Sequence, residues 1–228
     1  MITYEQVAFS LGKGVNLGAT VGYMFNEHIG AELGLSYLIG GETASSYSSS
    51  EISPFYSETV SIETLTSSKM LRIIPSLVLS AGGEKIKPYV KFGLVFGKGS
   101  VTEETSYQDN SNGFSVSNSE IVKLSGGTAL GLSSALGANI SLSDNMCFFG
   151  ELQMINMSYA PKTGELIESK VNGVNVLPTL TTAEIQTDFV DSYTSDNNNY
   201  TPYLPSQELK QRLPFGSFGI NVGLKISF

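Results

Sequence analysis

The last twelve residues, SFGINVGLKISF, keep a strict two-residue beat. Phe218, Ile220, Val222, Leu224, Ile226 and Phe228 share one parity; Ser217, Gly219, Asn221, Gly223, Lys225 and Ser227 share the other. Alternation of this length marks a β-strand with two unlike faces. Six further segments repeat it, at residues 15–25, 29–39, 71–79, 88–96, more loosely 124–140, and most weakly 146–156. The unusual property is the composition of the second face. A soluble sandwich packs large side chains inward and turns Lys, Glu and Thr outward. Here the second face is mostly Gly, Ser and Ala, with isolated charges at Glu32, Arg72, Lys91, Glu151 and Lys225. Small residues that leave room for a few ionised ones suit the interior of a narrow barrel. The apolar face then meets lipid, and about ten residues is the length a tilted strand needs to cross a bilayer. The pattern predicts an all-β fold, an antiparallel up-and-down transmembrane β-barrel; a soluble β-sandwich or lipocalin-like barrel is the alternative.

The connections agree. Short ones at residues 26–30, 81–87 and 141–145 alternate with long polar ones at about 41–69, 99–121 and 160–214, as outer-membrane barrels alternate periplasmic turns with extracellular loops. The long segments hold 15 acidic residues against 5 basic ones, so the chain's net charge of −8 belongs to them. That acidity disfavours nucleic acid as a partner, because phosphate binding needs a basic surface. The length of 228 residues suits one domain spanning 1–228. A single cysteine, Cys147, makes no intrachain disulfide. The start, MITYEQVAFS, lacks the basic and apolar regions of a signal peptide.

GKGVNLGATVGYMFNEHIGAELGLSYLIGG resembles the opening hairpin of small outer-membrane β-barrel proteins of Bacteroidota, within the wider group that includes the OmpA transmembrane domain, OmpX and OmpW. The closing NVGLKISF is similar to the C-terminal assembly signal of bacterial outer-membrane proteins, carried here by Asn221, Gly223, Ile226 and Phe228. The resemblance implies a place in the outer membrane, contact with its lipid, and insertion machinery that reads the last strand. The long polar segments match nothing in the group.

Counting back from a periplasmic Phe228, seven strands put the start of the first outside the cell, and single-chain bacterial barrels have even strand numbers. Eight strands are therefore expected, the first lying before Met1. Residues 2–9 read as an extracellular extension of the next strand, since Val7, Phe9 and Leu11 keep its parity; a short closing strand there is the alternative.

Sites of chemistry are sparse. Barrel enzymes carry His with Ser, Asp or Glu near the extracellular rim, whereas the sole histidine, His28, falls in the short turn NEHIG at the periplasmic end. Cys147, Met146, Met154 and Met157 read as packing or lipid-facing residues. DNNNY at 196–200, with Asp188 and Asp191, offers oxygen ligands for calcium, but a solvated loop is the simpler reading. No catalytic, cofactor or metal site is expected. The inward charges Glu32, Arg72, Lys91, Glu151 and Lys225 are expected to form one connected network, since an unpaired charge in a narrow barrel costs several kcal/mol. The reading is a non-enzymatic barrel with a structural or surface-interaction role through its acidic outer segments, where 160–214 could extend the wall as a hairpin and bind a partner. A narrow channel for ions or small hydrophobic solutes is the alternative, and a membrane enzyme the third.

Overall fold

The structure, a computed structural model, describes residues 9–53, 55–193 and 201–227. Fourteen strands are present among them, joined in one sheet. They are β1 (Gly14–Met24), β2 (Ile29–Gly40), β3 (Thr43–Ser53), β4 (Tyr56–Ser80), β5 (Ile86–Ser111), β6 (Phe114–Ser125) and β7 (Ala129–Ser143). There follow β8 (Met146–Tyr159), β9 (Thr163–Val171), β10 (Val174–Asn175), β11 (Gln186–Val190), β12 (Ser206–Leu209), β13 (Leu213–Pro214) and β14 (Ser217–Ile226), with a 3-10 turn (Leu177–Thr179) and an α-helical turn, α1 (Thr182–Ile185), before β11.

Seven strands make the wall, each antiparallel to the next, in the order β1, β2, β4, β5, β7, β8, β14. These are the seven alternating segments. From β2 onward the parity shows in exposure: Leu132 is 62% exposed and Ile220 74%, while Leu38, Met70 and Val95 on the opposite face are fully buried; β1 is exposed on both faces. Small residues let the inward side chains fit. A Cβ added to Gly137 would stand 2.7 Å from Tyr89 Cζ, and one on Gly97 2.7 Å from Met70 Sδ. At Pro75, which has no N–H to donate, the β4–β5 ladder skips from Ile73–Phe96 to Ser76–Gly93.

The described residues of the polar segments 41–69 and 99–121 are almost all strand, and those of 160–214 include five further strands. β4 and β5 run on for 25 and 26 residues, more than twice a bilayer crossing, and β3, β6, β9, β11 and β12 join their outer halves in a sheet beyond the wall. Within 160–214, β9 and β10 form a hairpin that joins the outer sheet along β6, with β11 and β12 beyond it, and β13 alone pairs with the wall strand β8. The stretch 124–140 also differs from expectation: β6 stops at Ser125, Gly126 and Gly127 turn at φ +74° and +68°, and β7 starts at Ala129.

Among the described residues the wall has one unpaired seam. An even number of antiparallel steps separates β1 from β14, so both run toward the short-turn end, and no register among the described residues pairs them. They approach at the opposite end, where the Leu11 amide donates to the Pro214 carbonyl (2.9 Å) and the Ser68 hydroxyl to the Leu11 carbonyl (2.8 Å). Leu11 is thus drawn inward and buried instead of extending the outward parity of β1. Val7 and the rest of residues 1–8 lie outside the described residues, as do Phe228 and residues 196–200.

Candidate functional site

The interior divides into two levels. Toward the short turns, Lys91 of β5 is the hub: its Nζ lies 2.8 Å from Glu32 Oε2 on β2 and 3.2 Å from Glu151 Oε2 on β8. It also stands over the rings of Tyr89 and Phe149, at 4.9 and 5.7 Å from their centroids. Lys225 of β14 reaches Glu32 Oε1 at 3.5 Å. Neutral donors complete the carboxylates: the Tyr89 hydroxyl donates to Glu151 Oε2 (2.9 Å) and the Asn221 amide to Glu151 Oε1 and Gln153 Oε1 (3.1 Å each). Four of the five inward charges therefore meet, from four strands, in pairs 59, 60 and 193 residues apart in sequence.

Arg72 stands apart, contrary to the expected single network. It is 1% exposed. Its Nε donates to Ser36 Oγ (3.2 Å) and its Nη2 to Asn16 Oδ1, while Nη1 is buried with no partner among the described residues. The reason is reach. Arg72 sits opposite Ser36 on β2, and its guanidinium extends toward β1, away from the carboxylates on β8 and from Glu32 four residues along β2.

Beyond Arg72 the interior turns apolar. Leu11, Leu38, Met70, Val95, Ala129, Ile155, Met157, Tyr159 and Phe215 form one buried cluster. Tyr159 and Phe215 meet edge to face at 5.7 Å, and the Tyr159 hydroxyl donates to the Gly99 carbonyl at 2.8 Å. The cluster continues under the outer sheet through Val101, Leu124 and Phe189. This seal was missed in the sequence, although Leu38, Met70, Ile155 and Tyr159 all sit on the inward parity.

The other singled-out residues fall elsewhere. His28 is exposed in the turn between β1 and β2, its ring nitrogen Nδ1 3.1 Å from the Ser80 carbonyl oxygen. Cys147 is half-buried near the start of β8, Met157 belongs to the seal, and Met146 and Met154 are exposed. Asp191 pairs with Lys210 at 2.8 Å. Of the closing residues, Ile226 faces outward, Gly223 lies against the Phe149 ring, and Asn221 points into the charged level.

A family model described as "Outer membrane protein beta-barrel domain" matches residues 2–177. The chain belongs to this outer-membrane β-barrel family. The protein is accordingly placed in the bacterial outer membrane, and its exposed apolar parity is the lipid face. No curated protein and no solved structure matches the chain. On the lipid face, the nine residues from Val15 to Tyr23 on β1 cover a tilted crossing. Tyr23 and Phe25 pack edge to face at 5.6 Å at its short-turn margin, where amphipathic rings favour the headgroup level. Tyr37, Phe92, Phe96 and Phe218 share this face. Lys69 and Lys98 continue the same parity beyond Leu71 and Phe96, suited to extend their ammonium groups from the opposite margin.

Proposed function

We propose that this barrel is a closed, non-enzymatic wall that carries a β-sheet platform outside the membrane and acts through that platform by structural support or surface interaction. The carrying observation is the continuation of β4 and β5 far past a bilayer crossing, with five further strands added to their outer halves. The surplus of acidic residues lies in these segments, which suits a cationic or cation-bridged surface partner. Outer-membrane lipid surrounds the apolar band, and the insertion machinery engages the β14 strand during assembly. The hairpin from β1 to β2 and the closing strand support kinship with the small Bacteroidota barrels of the OmpA, OmpX and OmpW group. An eighth strand in the seam between β1 and β14 completes the barrel.

A narrow channel is the second reading, favoured by a polar cavity of about 290 Å³ lined by Arg72, Lys91, Glu32 and Glu151. The apolar seal above it argues for the closed reading. Planar-bilayer recording separates the two: the purified protein is expected to stay silent at all voltages, and steady steps of conductance that change with Lys91→Ala would overturn the closed barrel. For the platform, replacing the acids of β3 to β6 by their amides is expected to abolish retention of a polycationic bead on whole cells without reducing the amount of assembled protein. Unchanged retention would remove the acidic surface from the proposal.

A further inference from the structure

On β4 and β5 the lipid face ends in a pair of cations. The outward side chains of β5 run from Ile86 through Phe92 and Leu94 to Phe96, and the next on that parity is Lys98. About ten steps of about 3.3 Å, tilted by about 40°, rise roughly 25 Å, the height of the apolar band of an outer-membrane barrel. On β4 the same face runs from Leu79 to Leu71 and then reaches Lys69. The ladder sets Leu71 opposite Lys98 and Lys69 opposite Ser100. The two lysines are therefore diagonal neighbours on adjacent strands, with Cβ atoms about 7 Å apart. Both are exposed, and Ser100 stands between them, opposite Lys69 and next after Lys98 on the same parity. Like charges this close repel each other, and none of the ion pairs among the described residues uses either lysine. Glu42, exposed in the step from β2 to β3, enters none of them either. Farther out on this parity come Ser67 and Leu65 on β4 and Ser100 and Thr102 on β5; only then do Glu63 and Glu104 follow. The acidic surface of the outer sheet begins above a cationic pair, and the pair lies where hydrocarbon gives way to headgroups.

We propose that Lys69 and Lys98 clamp a phosphate group of the glycolipid in the outward leaflet, with the Ser100 hydroxyl donating between them. The protein lies in the bacterial outer membrane, and the pair continues the face that meets its lipid, so a headgroup is what reaches it. Phosphate fits the pair, because its several charged oxygens accept from two ammonium groups and a hydroxyl at once and so relieve the repulsion between the lysines. A basic residue at an anionic lipid surface strengthens attachment about fivefold. Lys123 of β6 also faces outward, but it stands opposite Glu165 of β9 and belongs to the mixed charge of the outer sheet. A lipid held at Lys69 and Lys98 fixes the height at which β4 and β5 leave the membrane, whatever the sheet beyond them binds.

The test titrates diphosphoryl lipid A onto the full chain refolded in a neutral detergent, with bound copies counted by native mass spectrometry. The dissociation constant is expected to rise about fivefold in Lys69→Gln or Lys98→Gln and about thirtyfold in the double variant, and to recover when both are Arg. Fully dephosphorylated lipid A is expected to bind the unaltered chain as weakly as the double variant binds the phosphorylated lipid. Lys123→Gln is expected to change nothing, and a loss there equal to that of Lys69→Gln would remove the assignment to this pair. Inorganic phosphate at the lipid's concentration is expected not to displace it; displacement would make this a site for free phosphate and overturn the lipid assignment. Should the double variant give no heat-modifiable band, the unaltered chain carries the test through salt. Raising ionic strength from about 0.01 to 1 M shortens the screening length from about 30 to 3 Å and is expected to erase the preference for phosphorylated lipid. A preference that survives high salt, or an assembled double variant that holds the phosphorylated lipid as tightly as the unaltered chain, overturns the clamp.

Discussion

Lys91 holds two inward carboxylates at once, and its replacement strands Glu151. Lys91→Met fills similar volume but leaves Glu151 without a cation and Glu32 with only Lys225 at 3.5 Å, and breaking such a buried pair costs roughly 3–5 kcal/mol. The urea midpoint of the folded band in micelles is expected to fall accordingly. Lys225 is a control for geometry: it is 39% exposed and 3.5 Å from Glu32, so Lys225→Met is expected to cost less than about 1 kcal/mol. Equal losses from the two variants would mean that Lys91 is not the hub. Most of this site was legible in the sequence, because an ionised residue on a Gly/Ser/Ala parity has nowhere to go but the lumen. The two exceptions have physical causes. Asn221 read as part of a terminal signal, and only the β8–β14 register, which sets it opposite Glu151, reveals its second partner. Arg72 read as a network member because parity fixes the face of a side chain and says nothing of its height on the wall.

At the scale of elements, the outer sheet depends on two Asn-Gly corners. Asn112 and Gly113 turn β5 into β6 at φ +49° and +86°, and Asn172 and Gly173 turn β9 into β10 at +49° and +79°. Nothing lies within 4 Å of a Cβ added at Gly113, so Gly113→Ala tests conformation alone. It is expected to cost about 1 kcal/mol and to raise proteolysis between β5 and β6, with the wall unaffected. Both dipeptides stood in the sequence as hairpin signals. The flanking strands carry Ser, Thr and acids on both faces, and without an apolar parity a strand outside the membrane looks like a loop in sequence. The outer elements also titrate in opposite senses. Glu184 of α1 accepts hydrogen bonds from the Thr181 amide and hydroxyl, 2.7 Å each, which hold its carboxyl below the usual range. That contribution is full above the ordinary carboxylate value and is lost as pH falls through the lowered one. Burial pushes Glu103, on the outer half of β5, upward. Its neutral form is the favoured one, so its contribution is full at low pH and is lost as pH rises through the raised value. Amide exchange is expected to quicken at α1 and slow around Glu103 on acidification, and Glu184→Gln and Glu103→Gln each to flatten its own element's response.

For the molecule as a whole, the decisive structure is the order of layers along the barrel axis: a charged level with a cavity, then Arg72, then an apolar seal, then the surface sheet. A charged level alone could pass water and ions between its side chains. The apolar level bears on this: Leu38, Met70 and Phe215 are fully buried on the inward face, and the Ser68 and Tyr159 hydroxyls beside them are already engaged with the Leu11 and Gly99 carbonyls, which offers an ion few groups to exchange against its hydration shell. Met70→Ala with Phe215→Ala removes seal volume without touching a ladder hydrogen bond, since both side chains project into the lumen. Each large-to-small change costs about 2–5 kcal/mol in a packed core. The wall keeps its six antiparallel registers, so the double variant is expected to remain assembled and heat-modifiable on gels, with a lower unfolding temperature. In planar bilayers it is expected to show small, noisy conductance where the unaltered protein is silent, with cation or anion preference reversed when Lys91→Glu is added. Continued silence in an assembled double variant would mean that the charged level itself closes the barrel, and that the seal serves packing alone.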